Sequence, residues 1–200
     1  MTNSYNIERK YGILKFRNQK EGQIMFFFKK NTQKQEKTAE TEEMRRMHRC
    51  AFTGHRPEKL RMPEQAVKAA LEHEIRKAIQ DSYHVFISGM ARGVDIWAAE
   101  IVLALKGEYG ELKLICAVPY DGFELRWARD WQERYNHILQ HADYVRILRD
   151  SYTPSVFQYR NMWMVNHSAR LIAVYNGEAG GTRNTIQYAK EQGRDVRIVQ

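Results

Sequence analysis

The chain has 200 residues, of which 43% are hydrophobic and 28% charged, with a formal net charge of +8. That length supports one domain with a full core and room for an appendage. It carries no apolar run near the roughly 18 residues of a membrane span, and Ile24 to Phe28 is too short for a signal-peptide core, so the expected location is the cytosol. Its two cysteines, Cys50 and Cys116, lie within apolar runs far apart, which excludes a disulfide framework and leaves reduced core thiols as the reading.

The excess basicity is local. Residues 1–48 carry 11 Lys/Arg against 6 Asp/Glu, a net of +5, which leaves +3 for the rest of the chain. They read as a basic, disordered N-terminal extension, with an apolar island at Ile24 to Phe28 and a stretch from Thr32 to Glu43 that is either disordered or loosely helical. Two roles suit it: a partner-binding arm, or an over-long translation start upstream of Met44 or Met47. Residues 49–200 are mildly basic and have no Lys/Arg block, so nucleic acid is not the expected partner of that domain.

From residue 49, short apolar runs alternate with helical periods. Cys50 to Phe52 reads as a strand ending in Thr53-Gly54-His55-Arg56-Pro57. Pro63 and Glu64 open a helix whose apolar stripe is Val67, Leu71, Ile75 and Ile79. His84 to Ile87 is a second strand, Ser88 to Asp95 a glycine-bearing turn, and Ile96 to Leu105 a helix apolar nearly all round. Leu112 to Val118 is a near-continuous apolar strand, as expected where both faces are buried. It is followed by Pro119-Tyr120-Asp121-Gly122 and a helix marked by Ala128, Trp131, Tyr135, Ile138 and Ala142. Tyr144 to Leu148, the turn through Tyr152, a helix from Val156 to His167, and Leu171 to Tyr175 continue the alternation. Asn176 to Thr182 then leads into a helix that stops at Gly193, before a last strand from Val196 to Val199. This rhythm predicts an α/β fold, Rossmann-like and doubly wound, with a mainly parallel sheet and helices on both faces.

In such a sheet ligands bind beyond the carboxyl ends of the strands, where five of these loops open. Gly89 and Gly93 lack a Cβ, so backbone N–H groups there can approach an anion at a helix N-terminus. Gly180-Gly181-Thr182 is a second nest with a hydroxyl. Arg56, Arg92 and Arg160 can each fork onto a phosphate. Asp95 can bond a ribose hydroxyl or a loop amide, or cap its helix. His55 is a donor, a base or a loop-fixing group. Tyr120, Trp127 and Tyr152 suit either base stacking or a lid over the core. His137 and His141 share a helix face but have no third ligand, so no metal site is predicted. Neither glycine turn is a Walker loop or a regular G-x-G-x-x-G, and the chain has no G-x-S-x-G elbow.

Four segments together resemble the YpsA-like family of the SLOG superfamily, which also holds the DprA/Smf and LONELY GUY (LOG) proteins. They are Thr53-Gly54-His55-Arg56-Pro57, Ser88-Gly89-Met90-Ala91-Arg92-Gly93-Val94-Asp95, Phe157-Gln158-Tyr159-Arg160-Asn161 and Gly180-Gly181-Thr182-Arg183-Asn184-Thr185. The resemblance runs from about residue 49 to the C-terminus. It implies a Rossmann-like domain that binds a nucleotide or nucleotide-derived ligand such as ADP-ribose or NAD, as a cytosolic sensor or regulator linked to bacterial stress or cell division. Its ligand contacts would come from those four segments, with Ser88, Gln158 and Asn161 among them, and from Pro119, Tyr120 and Tyr152. Related folds also imply a homo-oligomer. Two alternatives follow from the relatives: a LOG-like N-glycosidase or phosphoribohydrolase, and a DprA-like DNA-interaction module. The LOG pattern, an Arg-Lys pair and then GGxGTxxE, meets Arg160-Asn161 and, at the acid, Asn184, which has no ionisable proton. Catalysis of that kind would fall to Arg160 with Asp95 or Glu178.

Overall fold

The computed structural model describes residues 41–199, together with the backbone of three short strands nearer the N-terminus. The chain divides into a unit of residues 1–39 and a unit of residues 40–200. In the first, β1 (Asn6–Lys10), β2 (Ile13–Arg17) and β3 (Ile24–Met25) pair antiparallel in that order. The disorder predicted from Thr32 falls mostly outside the described residues. Within them, Thr41 caps helix α1 (Glu42–Met47), its hydroxyl accepting from the Met44 N–H at 3.3 Å.

The second unit is built on six parallel strands. These are β4 (Arg49–Gly54), β5 (Val85–Ser88), β6 (Lys113–Tyr120), β7 (Tyr144–Arg149), β8 (Arg170–Val174) and β9 (Asp195–Val199), lying in the order β7-β6-β5-β4-β8-β9. The helices between them are α2 (Glu64–Gln80), α3 (Val94–Leu105), α4 (Arg129–His141), α5 (Val156–Asn166) and α6 (Gly181–Glu191). From β4 the chain steps outward to β7, laying α2, α3 and α4 side by side, then returns across the sheet to β8, laying α5 beside α6. Right-handed crossovers in opposite directions place the two helix groups on opposite faces. This is the doubly wound, Rossmann-like α/β fold that the alternation predicts.

Period-two alternation divides the core. Ala51, Ile87, Ala117, Leu171 and Ala173 meet Met164, Val165, Ile186 and Ala189 of α5 and α6. The intervening Cys50, Phe52, Phe86, Leu114 and Cys116 are fully buried, with Phe52 stacked on Phe86 at 5.8 Å between centroids. Both cysteines are free thiols, and burial pushes both above their ordinary pKa. Pro63 sits at the cap of α2 rather than at its first helical position. Strand β6 runs through Pro119, two residues beyond the predicted end. A missing N–H is tolerated there because β5 ends opposite Cys116, leaving β7 as the neighbour that pairs with Val118 and Tyr120.

Helix α3 lies close on β4. A Cβ at Gly54 would stand 2.5 Å from Val94 Cβ, a distance no relaxed side chain adopts. Gly54→Ala is therefore expected to lower the urea midpoint by about 1–3 kcal/mol of stability at unchanged m-value; a midpoint equal to wild type would show that α3 can retreat.

Candidate functional site

Strand order reverses between β4 and β8, the point of such a sheet at which a ligand crevice is expected. Because every strand is parallel, the loops after β4, β5, β6, β7 and β8 all reach this edge.

The loop after β5 is filled by protein. The Ser88 hydroxyl donates to the Asp95 carbonyl at 2.8 Å and accepts from the Met90 N–H at 3.1 Å. Gly93, at φ 90°, caps α3, so Asp95 lies inside the first turn, where its Oδ2 accepts from the Ala91 N–H at 3.3 Å. Arg160 reaches in from α5. Its Nη1 donates to the Gly89 carbonyl and stands 3.8 Å from Asp95 Oδ2, while its Nε donates to Asn161 Oδ1 at 2.8 Å. Arg160 and Asp95 are each 5% exposed. A Cβ at Gly89 would lie 2.5 Å from Arg160 Nη1 and 2.7 Å from Asp95 Oδ2; one at Gly93 would lie 2.8 Å from Pro57 Cδ. These glycines admit an arginine, a carboxylate and a proline. Burial pushes the Asp95 carboxyl up to about 6, opposed by the Arg160 charge and the Ala91 amide. Burial also draws the Arg160 guanidinium below its ordinary value, with Asp95 opposing.

The turn before α6 is open. Asn161 Nδ2 donates to Thr185 Oγ1 at 2.9 Å, and that hydroxyl donates to the Gly181 carbonyl at 2.8 Å, so Arg160-Asn161 ties the loops after β5 and β8 together. Gly180, at φ 143°, caps α6. A Cβ there would meet nothing within 4 Å, and one at Gly181 would meet only Asn161 Nδ2 at 4.0 Å. Gly180, Gly181, Arg183 and Asn184 are exposed, whereas Thr182 is buried. The unbonded first-turn amides of this helix are thus at an accessible surface, as anion recognition requires. Counting three residues on from Thr182 gives Thr185, so Thr185 and not Asn184 stands at the acid of the GTxxE spacing; it has no carboxyl either.

His55 lies between these loops. It is 6% exposed and stacks on Tyr175 at 5.6 Å, and its Nε2 has no hydrogen-bond partner among the described residues. Burial lowers its pKa, so the ring is neutral at pH 7. Asn176 bridges the loops after β4 and β8: its Nδ2 donates to the Lys59 carbonyl at 2.8 Å, and its Oδ1 accepts from the Glu178 N–H at 3.0 Å. Asn176 is singled out by neither type nor motif, and Thr185 lies in the fourth motif without an expected role, since ordinary polar residues become bridges only once two loops meet. A cavity of about 280 Å³ adjoins Asn176, between Leu60–Met62 and the ends of β8 and β9.

The remaining candidates scatter around this centre. Thr53 and Gly54 end β4 beneath it. Arg56 is exposed, and Arg92 is half-buried and paired with Glu58 at 3.2 Å. Gln158 is half-buried on α5 and joins none of these bonds. Pro119 is buried in β6, and Tyr120 meets Phe123 and Tyr152 edge-on, both at 5.8 Å. Trp127 packs on Phe123 and Tyr135, whereas Tyr152 stays 58% exposed. On α4, the His141 ring nitrogen Nδ1 meets the His137 carbonyl at 2.8 Å. Among the described residues no group of three or more His, Cys, Asp or Glu gathers to hold a metal ion.

Comparison with known proteins agrees with this architecture. The family model YpsA, described as the YspA SLOG family, matches residues 50–198. A UPF0398 protein of Bacillus cereus (strain B4264) is 33% identical over 153 residues, covering 72% of this chain and 83% of the relative. Another, from Staphylococcus saprophyticus, is 36% identical over 115 residues, covering 56% of this chain and 61% of its own length, so the chain spans under two thirds of that relative. The solved structure of DNA processing protein A from Helicobacter pylori matches with a TM-score of 0.57 at 19% identity, over 80% of this chain and 67% of that one. At that identity the likeness is one of fold. That protein binds single-stranded DNA, which overturns the expectation that nucleic acid is an unsuitable partner for a domain of this kind. The expectation fails physically because a net charge sums the whole surface and is blind to where the arginines stand.

The Asp95 carboxyl gives a measurable signature. Its folded value of about 6 lies above the ordinary 3.8. Its contribution to stability is therefore complete below about pH 4 and lost as pH rises through about 6, on the order of 3 kcal/mol in all. Carboxyl-carbon NMR should show a midpoint near 6 that moves higher in Arg160→Gln, where the opposing charge is gone. An unchanged midpoint would mean that Arg160 does not act on Asp95.

Proposed function

The chain belongs to the YspA SLOG family, and from that membership and the geometry of the sheet edge we propose that it binds a nucleotide or nucleotide-derived ligand, ADP-ribose- or NAD-like, as a bacterial cytosolic sensor or regulator. The observation that carries this is the open Gly180-Gly181 turn at the start of α6. Its free amides and the positive end of the helix suit a phosphate. The unpartnered Nε2 of buried His55 supplies a polar contact at the same crevice. Arg56 and Arg92 stand nearby as charged contacts, although Arg92 must leave Glu58 to serve. Arg160 holds the loops in place from behind.

Cleavage of the ligand has less support. An N-glycosidase needs a carboxyl group at the scissile bond, and the buried Asp95 is engaged by Ala91 and faced by Arg160. A second reading, interaction with single-stranded DNA, is favoured by the fold shared with the Helicobacter protein.

Asn184→Asp tests the leading proposal. A carboxylate in the first turn of α6 favours the helix by about 0.3–1 kcal/mol yet repels an anionic ligand. Wild-type protein with ADP-ribose, NAD or AMP at a hundredfold excess over Kd should melt about 5–10 °C higher than without it. The variant should melt no lower than wild type when free and gain nothing from ligand. Absence of any ligand-induced shift in the wild type would reject the proposal.

A further inference from the structure

A second surface lies on the outer edge of the sheet. Strand β7 is an edge strand, and helix α5, which packs on the neighbouring β6, sends side chains to it. Arg149 of β7 lies over the Tyr159 ring, its Cζ 3.9 Å from the centroid, and Arg146 lies over Trp163 at 5.9 Å. His167 stacks on the same Trp163 ring at 4.1 Å. Tyr159, Trp163 and His167 are spaced i, i+4, i+8 and so form one stripe of α5, beside its buried residues, with Trp163 packed partly against the core. Of these rings Tyr159 is 38% exposed.

Neither Arg146 nor Arg149 forms an ion pair with a carboxylate among the described residues, although Asp150 follows directly in the chain. Each instead lies over an aromatic ring, which holds the guanidinium plane without neutralising it. Successive rings on this face rise by about 6 Å along the helix, comparable to the step between phosphates of an extended single strand. Two uncompensated cations beside a column of partly exposed rings are what a single strand engages, phosphates on the arginines and bases on the rings. A second copy of the chain adding to the free edge of β7 would bring like charges together, which such edges use to prevent pairing.

We infer that the β7–α5 edge is a binding surface for single-stranded nucleic acid, with Arg146 and Arg149 on the phosphates and Tyr159 as a stacking platform. This rests on the second reading above and is independent of the mononucleotide site.

The test uses the full chain and a fluorescein-labelled 20-mer of oligo-dT, titrated by anisotropy across a series of salt concentrations. The double variant R146Q/R149Q should weaken binding at least tenfold and flatten the logarithmic salt slope by about 1.4, or roughly 0.7 per lost phosphate contact. Tyr159→Ala should weaken binding roughly tenfold at an unchanged slope. The double variant should keep the mononucleotide melting shift of the wild type, which both demonstrates its fold and separates failure here from failure of the crevice proposal. Wild-type affinity and slope in R146Q/R149Q would overturn the inference, as would the absence of oligonucleotide binding by the wild type. A concentration-dependent dimer abolished by the same substitutions, without oligonucleotide binding, would overturn it in favour of a second copy.

Discussion

The loops at the carboxyl edge of the sheet depend on one buried cation. Arg160 enters from α5 on one face of the sheet and meets the Gly89 carbonyl and the Asp95 carboxylate, which belong to the loop and helix on the other. Through Asn161 and Thr185 it also reaches the start of α6. A buried guanidinium without partners is costly, and removing one partner of a buried pair typically costs about 3–5 kcal/mol. The loops after β5 and β8 must therefore take positions that satisfy it. Asp95 is held at a compromise, with desolvation winning over its neighbour's charge.

This arrangement makes the two glycine turns unlike each other. Both look in sequence like cradles for an anion, because glycine before a helix is what a phosphate site needs. At Gly89 and Gly93 the missing Cβ makes room for Arg160, Asp95 and Pro57, so the close approach is internal. At Gly180 and Gly181 the same absence leaves free space before an unfilled helix terminus. One turn is thus filled by protein groups and the other left open. Tyr175 stacks on His55, whose buried Nε2 has no hydrogen-bond partner among the described residues.

Charge placement divides the cations around one helix. Helix α5 carries Arg160, which is spent on protein groups, and beside it the rings of Tyr159 and Trp163, which hold Arg149 and Arg146 at the surface. A modest domain charge of +3 hides this division, since the many surface Glu–Lys and Glu–Arg pairs on α2, α3 and α4 cancel in the sum without touching the β7–α5 edge. Such exposed pairs add little stability, but they leave the unpaired arginines as the local field.

Much of the fold was already legible in the residues. Period-two runs such as Cys50 to Phe52 and the i, i+4 stripe of α2 are local consequences of backbone geometry, and their alternation admits few arrangements other than a doubly wound parallel sheet. The identity of the loops at one edge follows from that topology. Which glycine faces open space and which faces Arg160 does not, because it depends on a side chain 71 residues away in sequence. The same holds for Asn176 and Thr185, and for Arg149 over Tyr159: ordinary residue types acquire their roles only when distant elements are packed together. Local periodicity determined the elements and their order; contact across the sheet decided which of the candidate groups are structure and which remain available for binding.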